Sequence, residues 1–191
     1  MRKLVLTTLQ SLDGAVDNPE NYFAPAPDGG SPTFDDDMHA NEAAIIGRQD
    51  AVILGRHMYE EWSEYWPTVP DQQFAKFINN VRKYVVTSQP LSRDWPNSQA
   101  VSAPVDEFVR TLKAQPGLDI GIHGSITLAR SLLAAGLVDE LQLVVAPALG
   151  FAGRRLIDDA ASALHLEPIS ARGTRSGGLL LAYRLSNSAR V

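Results

Sequence analysis

The stretch AVILGRHMYE, residues 51–60, contains the transition on which the fold prediction depends. Its first four residues are apolar and include two β-branched side chains, which is typical of a buried strand. Gly55 ends that run, and residues 57–65 have the pattern of a helix. A strand that passes through a glycine into a helix is the repeating unit of α/β proteins. The stretch therefore predicts one such unit.

Similar units occur on both sides of this stretch. Residues 4–9, 83–88, 120–122 and 141–146 predict strands, and residues 125–135 predict a helix that ends at Gly136. Helices are also expected from residues 35–37 to about 48, over 71–79 and over 105–114, with a short strand over 99–102. Residues 164–169 and 179–185 predict an antiparallel hairpin, joined by the glycine-rich segment 172–178. The sequence thus predicts one α/β domain over residues 1–191, with a mixed sheet that is mostly parallel and ends in an antiparallel hairpin.

The composition excludes several classes of protein. Seventeen Lys and Arg residues against 22 Asp and Glu give a formal net charge of −5, which argues against a nucleic-acid partner. No stretch approaches the roughly 20 apolar residues that span a bilayer, and residues 4–9 are too short for a signal peptide, so a cytoplasmic protein without a membrane partner is expected. There is no cysteine, and the four histidines are scattered, so no metal site is predicted.

One segment predicts a loop. Residues 18–32 contain four prolines and two glycines, too many breakers for a helix or a strand. Loops of this length in compact domains are often functional. We expect this one to form part of a substrate pocket.

Three strand ends have the composition of a site for a phosphorylated ligand. Gly55 and Arg56 follow the first strand quoted, Thr87 and Ser88 follow another, and Gly124 begins the third turn. A glycine lets backbone N–H groups at a helix N-terminus approach an anion, and ligands of α/β sheets bind at the carboxyl ends of the strands. Each turn alone is equally consistent with an ordinary tight turn. No dinucleotide fingerprint G-x-G-x-x-G and no P-loop is present.

Four blocks, taken in order, carry a resemblance to a known family. They are SLDG at 11–14, ILGRHMYE at 53–60, YVVTS at 84–88, and the long block from IHGS at 122–125 through LVDEL to Pro147. With these blocks the chain resembles the dihydrofolate reductase-like superfamily, closest to stand-alone relatives of the reductase domain of the bifunctional riboflavin-biosynthesis deaminase-reductase. The resemblance implies a three-layer αβα fold, NADPH as cofactor, and a homodimer formed through the antiparallel edge of the sheet.

The resemblance also assigns roles to residues. It implies that Gly55 and Arg56 face phosphate groups, with the Arg56 guanidinium binding the 2′-phosphate of NADPH. Thr87 and Ser88 would line the adenosine side. The pyrophosphate would be bound by the turn that begins the later helix, at Gly124, Ser125, Ile126 and Thr127. The remaining cofactor-binding candidates are Gly14, His57, Met58 and His123. Met58 stands where the family usually has Thr, and His123 stands where it usually has Gly.

Two carboxylates are candidates for the catalytic end of the site. Asp13 lies in the turn after the first strand, and Asp37 lies where the substrate-side helix of the family begins. A carboxylate buried beside the substrate can have a raised pKa and supply the proton that accompanies hydride transfer. The alternative is structural, because Asp-Gly is an ordinary turn pair and an Asp run before a helix is an ordinary cap.

Two functions from different classes follow from these residues. The first is an NADPH-dependent oxidoreductase that transfers hydride to a small heterocyclic substrate, such as a pterin, a folate-like compound or an aminopyrimidine. The second is a non-catalytic protein of the same fold that binds NADPH or another nucleotide as a sensor. Met58 and His123, which depart from the family pattern, motivate the second.

Overall fold

The computed structural model describes residues 1–23, 34–157 and 164–185. Its eight strands are β1 (Leu4–Gln10), β2 (Gln49–Gly55), β3 (Arg82–Val86), β4 (Ser98–Val101), β5 (Asp119–His123), β6 (Glu140–Val145), β7 (Leu166–Gly173) and β8 (Leu179–Leu185). Its α-helices are α1 (Glu20–Phe23), α2 (Asp36–Ile46), α3 (Arg56–Tyr65), α4 (Gln73–Asn80), α5 (Val105–Ala114) and α6 (Ile126–Ala134), and a 3₁₀ helix covers Trp66–Thr68. Over these ranges no helix combines the length and the apolar character needed to cross a membrane.

The strands form a mixed sheet with the order β4-β3-β2-β5-β1-β6-β8-β7. The pairs β4–β3, β3–β2 and β2–β5 are parallel. The pairs β6–β8 and β8–β7 are antiparallel. The predicted α/β class is therefore confirmed, including the antiparallel hairpin at the C-terminal edge.

The chain forms two compact units. The first comprises residues 1–5 and 42–138, and the second comprises the described parts of 6–41 and 139–191. The single domain over residues 1–191 stays a prediction beside this division.

The core of the first unit lies between its parallel strands and the helices that follow them. Val52, Leu54 and Val85 come from β2 and β3, and they pack with Tyr59 of α3 and Ile78 of α4. Parallel strands are covered by helices, which explains why residues 51–54 read as one continuous apolar run. All four of those residues are buried.

The side chain of a buried lysine caps the C-terminal end of α4. The Lys83 ammonium donates hydrogen bonds to the carbonyls of Ile78 and Val81, at 2.8 and 2.9 Å, and lies 4.6 Å from the centre of the Trp95 ring. These carbonyls belong to the C-terminal end of the helix, where a cation is stabilised by the helix dipole. Lys83 is thus a structural residue.

In the second unit, the hairpin turn is attached to the start of α2. Oδ1 of Asp35 accepts the N–H of Met38, at 3.0 Å, and so caps the helix, as the sequence predicts. Oδ2 of Asp35 accepts the N–H of Ser176, at 2.8 Å. Burial works to raise the pKa of Asp35, but the hydrogen bonds from Ser176, Met38 and Thr174 lower it to about 2. Asp35 is therefore ionised at neutral pH and joins the two segments.

Most predicted element bounds agree with the structure to within two residues, and two sequence predictions differ by more. Residues 18–32 were predicted to contain no helix, but α1 forms within them, because the carbonyl of Pro19 accepts the N–H groups of Tyr22 and Phe23. Residues 24–32 of that loop lie outside the described residues. The second difference is in the hairpin, whose turn is shorter than predicted. Strand β7 continues through Gly173, which pairs with Leu179, so the turn occupies residues 174–178.

Candidate functional site

The three turns singled out in the sequence belong to neighbouring strands of the first unit. Strands β3, β2 and β5 are adjacent in the sheet, and Gly55 pairs with Val86, the residue before Thr87. The N–H of Gly55 donates a hydrogen bond of 3.0 Å to Oγ of Ser125. The prediction that these strand ends lie next to each other is confirmed.

The turn between β5 and α6 has an unusual backbone. Gly124 and Ser125 are consecutive residues in the left-handed region, with φ of +63° and +50°. A serine at the start of a helix usually caps it, but the hydroxyl of Ser125 is bound to Gly55 and makes no capping bond to α6. Helix α3 has no side-chain cap either. Two helix N-termini with uncapped amides therefore lie side by side, an arrangement that suits an anion.

We call residues 55–58 and 124–127 the cradle. Within it, the side chain of Met58 lies directly over Gly124. A Cβ added at Gly124 would be 2.6 Å from Cε of Met58 and 3.7 Å from Cζ2 of Trp62. The positive φ and this close packing both favour glycine at position 124. Met58 is partly buried and also packs against the core cluster of α3 and α4.

Arg56 is the first residue of α3, and its side chain is half-exposed. Its Nε donates to Oε1 of Glu60, one turn along the helix, at 2.7 Å. His57 is almost fully exposed, with Nε2 4.0 Å from Oε2 of Glu61. A cation at a helix N-terminus is unfavourable unless an anion is near. The cradle therefore holds a guanidinium where a phosphate would be stabilised.

His123 is turned away from the cradle. Its imidazole is buried, and Nε2–H donates to Oε1 of Gln49, at 2.8 Å, with the rings of Phe74 and Phe77 packed edge-on. A Cβ on Gly121 would be 2.7 Å from this nitrogen, so glycine there leaves room for the pair. Burial lowers the pKa of His123 to about 4. The imidazole is neutral at physiological pH and does not obstruct the turn, and only the backbone of His123 can reach a cofactor.

Thr87 and Ser88 lie just beyond β3. The N–H of Thr87 donates to the carbonyl of Val101, which fixes the backbone at the strand end. The hydroxyl of Thr87 accepts the N–H of Gln89, at 3.1 Å. Ser88 is exposed. The adenosine-lining role of Thr87 and Ser88 stays a prediction.

In the second unit, Asp13 is held by a dense set of hydrogen bonds. Its Oδ1 accepts Ser11 Oγ–H, at 2.6 Å, and the N–H of Gly150, at 2.7 Å. Its Oδ2 accepts the N–H of Phe151, at 3.0 Å, and Nη2 of Arg155, at 3.1 Å. The bonds from Ser11 and Gly150 lower the pKa of Asp13 to about 2. Asp13 is therefore an ionised carboxylate that organises its turn, and the proton-donor role with a raised pKa does not fit it.

Gly14 and Asp37 also lie in the second unit. Gly14 has φ of +85°, so the turn itself needs a glycine there. Asp37 is the second residue of α2, and its Oδ2 accepts the N–H of Arg175, at 3.2 Å. Like Asp35, it connects α2 to the hairpin turn. The catalytic roles of Asp13 and Asp37, and the cofactor role of Gly14, stay predictions.

Comparison with known proteins assigns the family. The model of the RibD C-terminal domain matches residues 2–180. The chain belongs to the RibD C-terminal domain family. Among its relatives is the "Uncharacterized protein YyaP" of Bacillus subtilis (strain 168), which is 25% identical over 191 residues, 95% of this chain and 94% of that protein.

Solved structures agree on the fold of this RibD C-terminal domain. A putative riboflavin biosynthesis protein from Shewanella sp. PV-4 matches with a TM-score of 0.72 and 16% identity, covering 96% of this chain and 99% of that one. A dihydrofolate reductase from Enterococcus faecalis, solved in complex with NADP(H), matches with a TM-score of 0.61 and 13% identity, covering 96% of each chain. These matches confirm the predicted resemblance to the dihydrofolate reductase-like superfamily at the level of the fold.

One acidic residue of this RibD C-terminal domain was missed by the sequence reasoning. Glu42 lies on α2 one turn after the buried Met38, on the same side of that helix, and is itself partly buried. It belongs to the first unit, as the cradle does. Burial raises the pKa of Glu42 to about 7. The sequence does contain a signal for this residue: Glu42 lies four residues after Met38 and three before Ile45, so it interrupts an apolar stripe of the helix.

Proposed function

We propose that this protein is an NADPH-dependent oxidoreductase that transfers hydride to a small heterocyclic substrate, such as a pterin, a folate-like compound or an aminopyrimidine. One observation carries the proposal. Two helix N-termini without side-chain caps lie side by side, tied by the bond from Gly55 to Ser125, and Arg56 stands at the first position of one of them. This combination of amides and a guanidinium fits a coenzyme with several phosphate groups.

The cradle assigns a role to each part of such a coenzyme. The Arg56 guanidinium would bind the 2′-phosphate, and the amides of Ile126 and Thr127 would bind the pyrophosphate. Thr87 and Ser88 would line the adenosine, and His57 and Met58 would contribute backbone N–H groups. Gly124 lacks the side chain that would fill the approach to α6. Bound NADPH supplies the hydride.

The proton needs a donor from the protein. We propose that the Glu42 carboxyl serves as this donor, because it is partly buried on the side of α2 that carries Met38, and its pKa, raised to about 7, lets it keep a proton near neutral pH. Asp13 is ionised and Asp37 accepts a backbone N–H, so their proposed contribution is to hold the turns of the second unit in shape. Substitution Glu42→Gln should remove turnover and leave coenzyme affinity unchanged.

Two features support the proposed substrate class and the proposed oligomeric state. The similar structure from Shewanella is that of a putative riboflavin biosynthesis protein, which favours a heterocycle as the substrate class. Strand β7 is one of the two edge strands of the sheet that the described residues form, and all its residues after Leu166 are exposed, which favours a second copy of the chain as a partner. A cytoplasmic homodimer is the assembly that we propose.

The binding test compares NADPH and NADH by thermal melting. A ligand at 100 times its dissociation constant stabilises the folded state by about 2.7 kcal/mol, or roughly 5–11 °C in a domain of this size. We expect this shift with NADPH, and a much smaller one with the variant Arg56→Met. Arg110→Met is the matched control, because Arg110 is another exposed arginine that forms an i,i+4 pair, with Asp106. No shift with either coenzyme in the wild type would refute the proposal.

Turnover distinguishes the enzyme from the sensor alternative. Purified protein with NADPH is offered pterins, dihydrofolate and aminopyrimidines, and loss of nicotinamide absorbance is followed. The position of the Met58 thioether over Gly124 is the observation that favours a sensor, because it narrows the cradle. Binding without oxidation by any acceptor, in both the wild type and Met58→Thr, would favour that alternative.

A further inference from the structure

Arg56 already has an anionic partner on its own helix. Its Nε lies 2.7 Å from Oε1 of Glu60, and the two side chains are 42% and 39% exposed. An arginine at the first position of a helix is at the positive end of the helix dipole. Glu60, one turn along, balances that charge. Two anions can therefore compete for this guanidinium, Glu60 and a ligand phosphate.

The bond to Glu60 leaves most of the guanidinium available. Arginine has five N–H donors, and only the one on Nε is used. Among the described residues neither Nη nitrogen of Arg56 has a partner, so the outer edge of the fork is available to a phosphate. A phosphate bound there would lie close to the Glu60 carboxylate and be repelled by it.

Glu60 would act differently on a coenzyme without the 2′-phosphate. A ribose hydroxyl is a hydrogen-bond donor, and a carboxylate near the adenosine ribose is the usual acceptor for it. The charge of Glu60 is thus unfavourable for NADPH and neutral or favourable for NADH. Arg56 has the opposite preference.

We infer that Glu60 is a specificity-determining residue that reduces the preference for NADPH over NADH set by Arg56. The inference rests on the proposed function, namely that the cradle binds a nicotinamide coenzyme. Its expected size is small, because both side chains are partly exposed and water screens their charges. Removing the charge should tighten NADPH binding about three-fold.

The variant Glu60→Gln isolates the charge. Its side-chain oxygen can still accept the N–H of Arg56 Nε, so the position of the guanidinium is kept while the negative charge is lost. Glu61→Gln is the matched control. It changes the net charge equally, at the next position of α3, and its neighbour is His57 rather than Arg56.

Dissociation constants for NADPH and NADH are measured by quenching of tryptophan fluorescence, since Trp62 lies beside Gly124. For Glu60→Gln we expect about three-fold tighter NADPH binding and NADH binding within a factor of two of the wild type. Glu61→Gln should change neither. In about 1 M salt, where charges are screened within roughly 3 Å, the effect of Glu60→Gln should disappear.

Other results overturn the inference in distinguishable ways. Equal tightening in both variants would show a general effect of net charge. Weaker NADPH binding in Glu60→Gln would show that the carboxylate only positions Arg56. A folded wild-type protein that binds neither coenzyme would refute the proposed function together with this inference.

Discussion

Two ionisable side chains of the first unit, the buried His123 and the partly buried Glu42, should give the stability of this protein opposite dependences on pH. Burial lowers the pKa of His123 to about 4, so between that pH and 6.5 only the unfolded chain takes up its proton. The free energy of unfolding contributed by His123 therefore rises with pH. Burial raises the pKa of Glu42 to about 7, so between 4.5 and that pH only the folded chain keeps its proton. The contribution of Glu42 falls as pH rises.

The two effects overlap between about pH 4.5 and 6.5 and are similar in size. A single proton difference changes the free energy of unfolding by at most about 1.4 kcal/mol per pH unit. In the wild type the two slopes largely cancel. His123→Gln, which keeps a donor for Gln49, should lose up to about 3 kcal/mol of stability as pH rises across this window, and Glu42→Gln should gain as much. Asp13 and Asp35, each with a pKa lowered to about 2, change protonation at lower pH and do not interfere.

Urea denaturation at about pH 4.5, 5.5 and 6.5, at constant ionic strength, measures both slopes. An unchanged m-value shows that only stability has changed. The free energy of unfolding of the double variant should not change with pH in this window, as for the wild type. If Glu42→Gln keeps the flat profile of the wild type, Glu42 does not hold a proton in the folded state and loses its proposed role as proton donor.

Three further predictions concern the turns and the sheet edge. Gly124→Ala and Gly136→Ala place alanine at φ of +63° and +65°. Each variant should therefore lower the free energy of unfolding by roughly 1–2 kcal/mol and the melting temperature by about 2–8 °C. Only Gly124→Ala should also weaken NADPH binding in a titration. Asp13→Asn should lower the melting temperature more than Asp37→Asn, because Asp13 accepts four hydrogen bonds; equal shifts would contradict its structural role. Ile169→Lys, on the exposed β7, should convert the proposed dimer to a monomer in light scattering, and a wild type of monomer mass would exclude the dimer.

Much of the fold could be predicted because its signals are local. The strand of residues 51–54 is an uninterrupted apolar run, and helix α5 has the bounds Val105–Ala114 that the spacing of its apolar residues predicts. Gly136 follows α6 with positive φ, as expected of a glycine after a helix. The adjacency of the three strand ends followed from the general rule on the carboxyl ends of strands in α/β sheets.

The chemistry of the acidic residues could not be predicted in the same way, since it depends on distant partners. The pKa of Asp13 is set by Ser11 in its own turn, but also by the backbone of Gly150, 137 residues away. A sequence shows an Asp-Gly turn but not which donors surround the carboxylate. The direction of the His123 imidazole likewise depends on Gln49, on another strand. Neither the donors around Asp13 nor the direction of the His123 imidazole can be predicted from the spacing of residues along the chain.

The cradle is the place where several local rules are broken together. A serine adopts a left-handed backbone, its hydroxyl binds a different turn instead of capping its own helix, and an arginine occupies the positive end of a helix. Each departure costs stability, since non-glycine residues avoid positive φ and uncapped helix ends leave amides unpaired. An anion bound here would accept hydrogen bonds from the unpaired amides, and it would also balance the charge of Arg56 at the helix N-terminus. Ligand binding should therefore stabilise this part of the first unit more than it stabilises the hairpin of the second, and hydrogen exchange with and without NADPH would reveal that difference.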